Sequence, residues 1–186
     1  LVAGVQTDSD VYGGISASVY SDFTLFHANL SLFVVCASDV EDISSSETLI
    51  MISGEGDPST TINEVNLEKQ ASADKAIPAF VYGSDPASNG LVVGRTWTSE
   101  DRLMSLVSGA GTNATSLQVD DETASTITLN GNERIEMKSS AGKVSFSIGA
   151  GVNAYMNPNT ANWEGKVYEV LLYNRAVSNA EKTIIK

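Results

Sequence analysis

Asn162-Trp163-Glu164-Gly165-Lys166-Val167-Tyr168-Glu169-Val170-Leu171-Leu172-Tyr173-Asn174-Arg175-Ala176-Val177-Ser178-Asn179-Ala180-Glu181 reads as a strand, a short turn and a capped helix. Val167 to Tyr173 is β-branched, aromatic and aliphatic, with one charge, Glu169, which is strand composition at strand length. Ser178 with Glu181 three residues on is a capping box. The Ser178 hydroxyl accepts from the Glu181 backbone N–H, and the Glu181 carboxylate accepts from the Ser178 N–H. A short helix is therefore expected from about Asn179.

Working back from this stretch, Val144-Ser-Phe-Ser-Ile148 alternates cleanly, so Val144, Phe146 and Ile148 are expected to face inward and Ser145 and Ser147 outward. Leu103–Val107, Ser116–Val119, Thr126–Leu129 and Ile135–Met137 follow one another at intervals of roughly ten residues, the rhythm of an all-β chain. Gly109-Ala-Gly111, Asp120-Asp121 and Asn130-Gly131-Asn132 separate them, and Asn130-Gly131 is a hairpin signal because both residues tolerate positive φ. The most apolar run is Leu30 to Ala37. Both of its faces, Leu30/Leu32/Val34/Cys36 and Ser31/Phe33/Val35/Ala37, are mostly apolar, which predicts a central strand with something lying over its outer side. Val40 to Glu47 reads as an acidic loop, and Thr48–Ser53 as the next strand. The charged stretch Asn63 to Ala76 reads as one polar edge strand or a long loop, since Ile62, Val65 and Leu67 lack helical spacing. Ala79–Tyr82 and Leu91–Val93 are short strands, and residues 1–22 supply an N-terminal edge strand. Many short strands with this spacing predict a sandwich or a barrel.

Aromatic-x-Gly-x-Val-x-Glu-Val-Leu-x-Tyr-Asn-Arg-Ala-Val-Ser-x-Ala-Glu, from Trp163 to Glu181, resembles the closing strand and terminal turn of the laminin-G-like, concanavalin A-like β-sandwich family. Ser147-Ile148-Gly149 resembles the short strand before that element. Leu117-Gln118-Val119-Asp120 resembles the family's Leu-Tyr-Val-Asp-Gly hairpin, with Asp121 where the family has Gly. Leu30 to Cys36 sits where the family has its early buried strand. The resemblance covers residues 114–186 well. It implies a single laminin-G-like domain over 1–186, an antiparallel concanavalin A-like jelly roll with a short C-terminal helix.

A domain of 186 residues buries enough surface to fold without a disulfide or a metal. Cys36 is the only cysteine, so no intrachain disulfide forms, and its apolar surroundings predict a buried, inert thiol. A net charge of −12 repels a phosphate backbone, so no nucleic-acid partner is expected. No window approaches the roughly 20 apolar residues of a membrane span, so no membrane insertion is expected. The chain begins at Leu1 rather than Met, which suggests a fragment or processed product.

Candidate catalytic groups are sparse. His27 is the only histidine, with no Gly-x-Ser-x-Gly elbow for a nucleophile, so a structural or merely exposed role is expected. Glycoside hydrolysis needs two carboxylates roughly 5–10 Å apart. Glu55-Gly-Asp57 begins like the Glu-x-Asp-x-(x)-Glu strand of sandwich glucanases, but no second Glu follows. Gly109-Ala-Gly111 lacks the Lys and the helix of a phosphate loop.

The family resemblance implies calcium as the one plausible cofactor, held by acidic and carbonyl oxygens at the sandwich rim, with Asp120 and Asp121 as candidate ligands. For sugar binding, Trp97 is the first candidate. It stands in polar Arg95-Thr-Trp-Thr-Ser-Glu-Asp101, where core patterning gives no reason for it. Tyr155 and Asn153, in Asn153-Ala-Tyr-Met-Asn-Pro-Asn159, come second. Trp163 occupies the family's aromatic-x-Gly position and is expected in the core.

The expected function is a non-enzymatic interaction module, glycan-binding or adhesive, on an extracellular or virion surface. The alternative is a structural virion protein, a capsid decoration or fibre domain without a sugar site. A degenerate hydrolase is the third reading. Partners are then glycans or other protein chains, including copies of itself in an oligomer or larger assembly.

Overall fold

The computed structural model describes residues 29–38, 47–52, 65–69, 99–109, 115–126, 146–149 and 163–185 with their side chains. It describes the backbone of strand segments 5–7, 15–19, 24–27, 53–54, 64, 70–71, 76–82, 90–92, 127, 136–138, 144–145 and 161–162. The first strands are β1 (Val5–Thr7), β2 (Ile15–Val19), β3 (Thr24–His27), β4 (Leu30–Ser38) and β5 (Glu47–Gly54). Next come β6 (Glu64–Ala71), β7 (Ala76–Tyr82), β8 (Gly90–Val92), β9 (Arg102–Ser108) and β10 (Thr115–Val119). The last are β11 (Ser125–Ile127), β12 (Glu136–Lys138), β13 (Val144–Ile148), β14 (Ala161–Asn162) and β15 (Gly165–Tyr173), followed by helix α1 (Asn179–Ile185).

Two sheets carry the fold. A six-stranded sheet runs β1-β15-β4-β9-β10-β11, and a seven-stranded one runs β2-β13-β5-β6-β7-β8 with β14 beside β5. Strands β12 and β3 form a separate ribbon. Pairing is antiparallel throughout, apart from the β14–β5 pair. Of the sandwich or barrel that the strand rhythm allows, this is the antiparallel β-sandwich, with the short C-terminal helix expected from the Ser178–Glu181 capping box.

The core lies between the sheets. Leu30, Leu32, Val34 and Cys36 of β4, Met104 and Leu106 of β9, and Leu117 and Val119 of β10 meet Ile50 and Ile52 of β5, Val65 and Leu67 of β6, and Ile148 of β13. Each such side chain contributes roughly 1.5–3 kcal/mol by leaving water. Trp163 is fully buried in this cluster, as its place before Gly165 predicts. Cys36 is buried as well, and desolvation pushes its thiol pKa far up, so it stays a neutral, inert filler.

The outer side of β4 is covered too. Phe33, Val107 and Val177 form a second cluster, with Leu103, Leu171, Tyr173 and Ile185 packed against it. The cover expected over the doubly apolar strand is therefore the chain's own C-terminal turn and helix.

Strand β15 contains a bulge between Val167 and Glu169. Before it, Val167 opposes Cys36 on the core side. After it, Val170 opposes Val34 and packs on the core, while Leu171 opposes Phe33 on the outer side. A strict alternation would have put Glu169 beside Val167 on the core face. One extra residue, Tyr168, turns the charge out and brings both halves of the strand into apolar register.

Three expectations need correction. The stretch Asn63–Ala76 holds no edge strand or loop over Glu64–Ala71: β6 lies between β5 and β7, and residues 65–69 are all buried. The Lys69 charge is tolerated inside because it meets the buried Glu47. Glu47, expected in a loop, begins β5. Ser147, expected to face water, is buried in a row with Met51 of β5 and Asn66 of β6, so this sheet is covered on its second face as well. The hairpin expected at Asn130-Gly131 lies outside the described residues.

Candidate ligand-binding groove

The C-terminal turn is built onto the outer face of the six-stranded sheet by one serine. Ser31, on the otherwise apolar outer row of β4, donates from Oγ to the Arg175 carbonyl at 2.8 Å and accepts from the Val177 N–H at 3.0 Å. This clip drops Val177 onto Phe33 and Val107. The capping box then starts α1 as its residues require. The Ser178 N–H donates to Glu181 Oε2 at 2.8 Å, and the Glu181 N–H donates to Ser178 Oγ at 3.3 Å. Arg175 adds a fork to the same carboxylate, with Nη1 and Nη2 at 2.9 and 2.6 Å from its two oxygens. The Arg175 guanidinium also lies 5.8 Å from the centroid of the Tyr173 ring, and Tyr173 meets Phe33 edge-on at 6.2 Å. Arg175 first, and Ser178 second, hold Glu181 down at a pKa of about 2.

Beside this turn lies an open groove of about 750 Å³. Val107, Gly109, Ala124, Ala176 and Val177 give it an apolar lining, and Asn29, Ser116, Thr126 and Asn179 add hydrogen-bonding groups. Arg175 and Lys182 complete the wall contributed by the C-terminal segment. An open cleft with an apolar lining and several polar groups suits a polar, ring-shaped ligand. Nothing in the local composition singled out this site: its residues come from β9, β10, β11 and the C-terminal turn, which only the fold brings together.

A second polar cluster sits inside the sandwich. Lys69 Nζ lies 2.6 Å from Glu47 Oε1, with the two side chains 0 and 5% exposed. Glu47 Oε2 accepts from the Glu164 N–H at 3.1 Å, and Lys69 Nζ reaches Ser38 Oγ at 3.4 Å. The Lys69 ammonium is also 5.9 Å from the Trp163 ring centroid. Burial is the largest influence on Glu47 and pushes its pKa above the ordinary carboxylate value, with the Lys69 hydrogen bond pulling back. The cluster ties β4, β5 and β6 to the Trp163–Gly165 corner. It is a brace, since the Glu47 carboxylate is wholly occupied by protein donors.

Asp120 also braces. It sits at positive φ, 50°, in the turn after β10, where aspartate tolerates the left-handed region. Its Oδ1 accepts from the Leu103 N–H at 2.9 Å, and its Oδ2 accepts from Arg102 Nη1 at 3.0 Å. Arg102 also pairs with Glu100. Asp121 is exposed in the same turn. An ion at Asp120 would have to displace Arg102. Among the described residues no three His, Cys, Asp or Glu gather as a cation site, and both Asp120 oxygens are engaged by Arg102 and the Leu103 amide. Trp97, Asn153 and Tyr155 lie outside the described residues. His27 pairs through its backbone with Glu136, and its side chain lies outside them too. No described helix is long and apolar enough to cross a membrane.

No family model and no curated protein matches the sequence. Solved structures do resemble the fold. The native heptameric SAP-like pentraxin from Limulus polyphemus superposes with a TM-score of 0.66 at 9% identity, over 96% of this chain and 78% of that one. The Ruminococcus gnavus IT-sialidase CBM40, bound to α2,3-sialyllactose, gives 0.61 at 9% identity, over 92% and 95%. Mouse laminin α1 domains LG4-5 give 0.56 at 9% identity, over 95% and 46%. At such identities the likeness concerns architecture. The fold is the concanavalin A-like β-sandwich that the Trp163–Glu181 resemblance implies.

Proposed function

We propose that this chain is a non-catalytic glycan-binding module that acts on an extracellular or virion surface. The observation carrying this reading is the groove beside the C-terminal turn, lined by polar Asn29, Ser116, Thr126 and Asn179 together with apolar Val107, Ala124 and Val177. That lining offers hydrogen bonds to sugar hydroxyls and apolar contact to a pyranose ring. A module of the same fold and nearly the same extent, the CBM40 domain, holds a sialylated trisaccharide, which supports the class of ligand. Of the two buried carboxylates among the described residues, Glu47 and Glu68, the first is engaged on both oxygens by Lys69 and the Glu164 amide. The proposed contact needs no calcium.

A glycan-array screen of the wild type, Asn29→Ala, Thr126→Val and Trp97→Ala tests the reading. Each groove variant should weaken binding by roughly tenfold through loss of a hydrogen bond. Loss with Trp97→Ala alone would move the site elsewhere on the domain, and absence of any sugar binding would refute the function.

The structural-virion alternative is favoured by a separate feature. Ile184 on α1 is 85% exposed, and Tyr168 and Leu172 are also uncovered, which suits contact with neighbouring chains. Light scattering across a concentration series separates the two: self-assembly with no sugar affinity supports this alternative.

A further inference from the structure

The groove differs in charge from the chain that carries it. The chain has 23 acidic residues and a net charge of −12. Among the described residues the groove lining includes Arg175 and Lys182 and no aspartate or glutamate. Both cations belong to the C-terminal segment, where Glu181 already pairs with Arg175, and Asn29, Ser116 and Thr126 from other elements add neutral donors and acceptors. A neutral sugar has no use for such a bias, whereas an anionic one would otherwise be repelled by the rest of the molecule.

Arg175 is also held ready. Glu181 takes one hydrogen from each terminal nitrogen in an end-on fork, which leaves the Nε–Nη edge of the guanidinium for a second planar anion. The guanidinium also lies 5.8 Å from the Tyr173 ring centroid. Glu181 stays ionised down to about pH 2, so this orientation persists over the whole working pH range. A preorganised fork matches a carboxylate edge better than it matches a hydroxyl.

We propose that the groove selects a carboxylated sugar, its carboxylate against Arg175 and Lys182 and its ring over Val107 and Ala124. This rests on the glycan reading of the same groove. The groove volume, about 750 Å³, leaves room for a short oligosaccharide around the charged residue.

The test is an amide-resolved NMR titration of the purified chain with α2,3-sialyllactose, lactose and sulfated lactose, at low and high salt. Sialyllactose should bind roughly tenfold or more tightly than lactose and weaken with salt, because two rim charges contribute. Lys182→Gln should remove most of that advantage, and Lys182→Arg should restore it. Lys182 is chosen because it lines the groove and is not one of the two residues of the Arg175–Glu181 fork. Equal binding of sialyllactose and lactose at the Asn29, Ser116 and Thr126 amides overturns the charge selection and leaves the glycan reading standing. Preference for the sulfated sugar overturns the carboxylate assignment. If no sugar shifts those amides, the glycan reading falls, and the selection falls with it.

Discussion

Replacing Lys69 by methionine isolates the buried ion pair. The Lys69 side chain is completely buried and Glu47 nearly so, at a separation of 2.6 Å. Methionine fills similar space without charge, so the variant strands the Glu47 carboxylate with the Glu164 N–H as its remaining donor. Breaking a buried pair from one side costs about 3–5 kcal/mol, because an uncompensated charge is left inside. For a domain of this size that corresponds to a fall of roughly 6–20 °C in Tm.

The pH dependence follows from the direction of the Glu47 shift. Its folded pKa stands above the ordinary 4.5 because burial outweighs the pull of Lys69. The folded state therefore holds this proton more tightly than the unfolded one. The stability linked to it is fully present below about pH 4.5 and is lost as pH rises through the folded value. Methionine removes the pull and raises that value further, so the deficit against wild type should widen from pH 5 to pH 8. The double variant Glu47→Gln, Lys69→Met removes both charges and should recover most of the loss. Urea unfolding at the two pH values, with the slope checked for constancy, reads all three proteins. A single-variant loss under about 1 kcal/mol, or a double variant no better than the single, would refute the brace.

Two further outcomes are expected. Gly165 has φ of +154°, and a Cβ there would run into the Ala37 carbonyl oxygen and lie 2.8 Å from Trp163 Nε1; Gly165→Ala should cost roughly 2–4 kcal/mol in chemical denaturation through backbone clash and overpacking. Glu181 is depressed from 4.5 to about 2, so its contribution to the C-terminal cap is full above pH 4.5 and disappears as pH falls toward 2. A carboxyl-carbon NMR titration should place its midpoint near that lower value, and Arg175→Gln should return it toward 4.5.

The parts of this fold that could be read in advance are those where side-chain pattern and backbone need agree locally. Ser178 and Glu181 announce a helix start because the two bonds they make span only three residues. Leu30–Ala37 announces a covered central strand because both of its faces are apolar. The failures share a cause as well. Nothing near Lys69 reveals that Glu47, in the adjacent strand, will neutralise it, so β6 looks like surface. Ser31 looks like a chance polar residue until Arg175 and Val177 arrive from the far end of the chain to use it. The bulge at Tyr168 is visible only in retrospect, as the step that lets Val167 and Val170 share one face. The groove is illegible for the same reason: its lining joins Asn29, the consecutive strands β9 to β11 and the distant C-terminal segment. Charge at Asp120 does not say that Arg102 and the Leu103 amide engage both of its oxygens.

Strand β15 is the last of the fifteen in chain order, yet it stands between β1 and β4. During synthesis the ribosome therefore delivers Leu30–Ala37 long before the strand that flanks it and the valine that shields Phe33. Until β15 emerges, that greasy ribbon has an unpaired edge, open to other nascent chains. Closure must then bridge nearly the whole domain in one late step, the slow kind of pairing. Production of this protein should accordingly be limited by what happens to it before residue 173 has emerged, and holding chaperones, or slower translation, should raise the yield more than any improvement to the finished core.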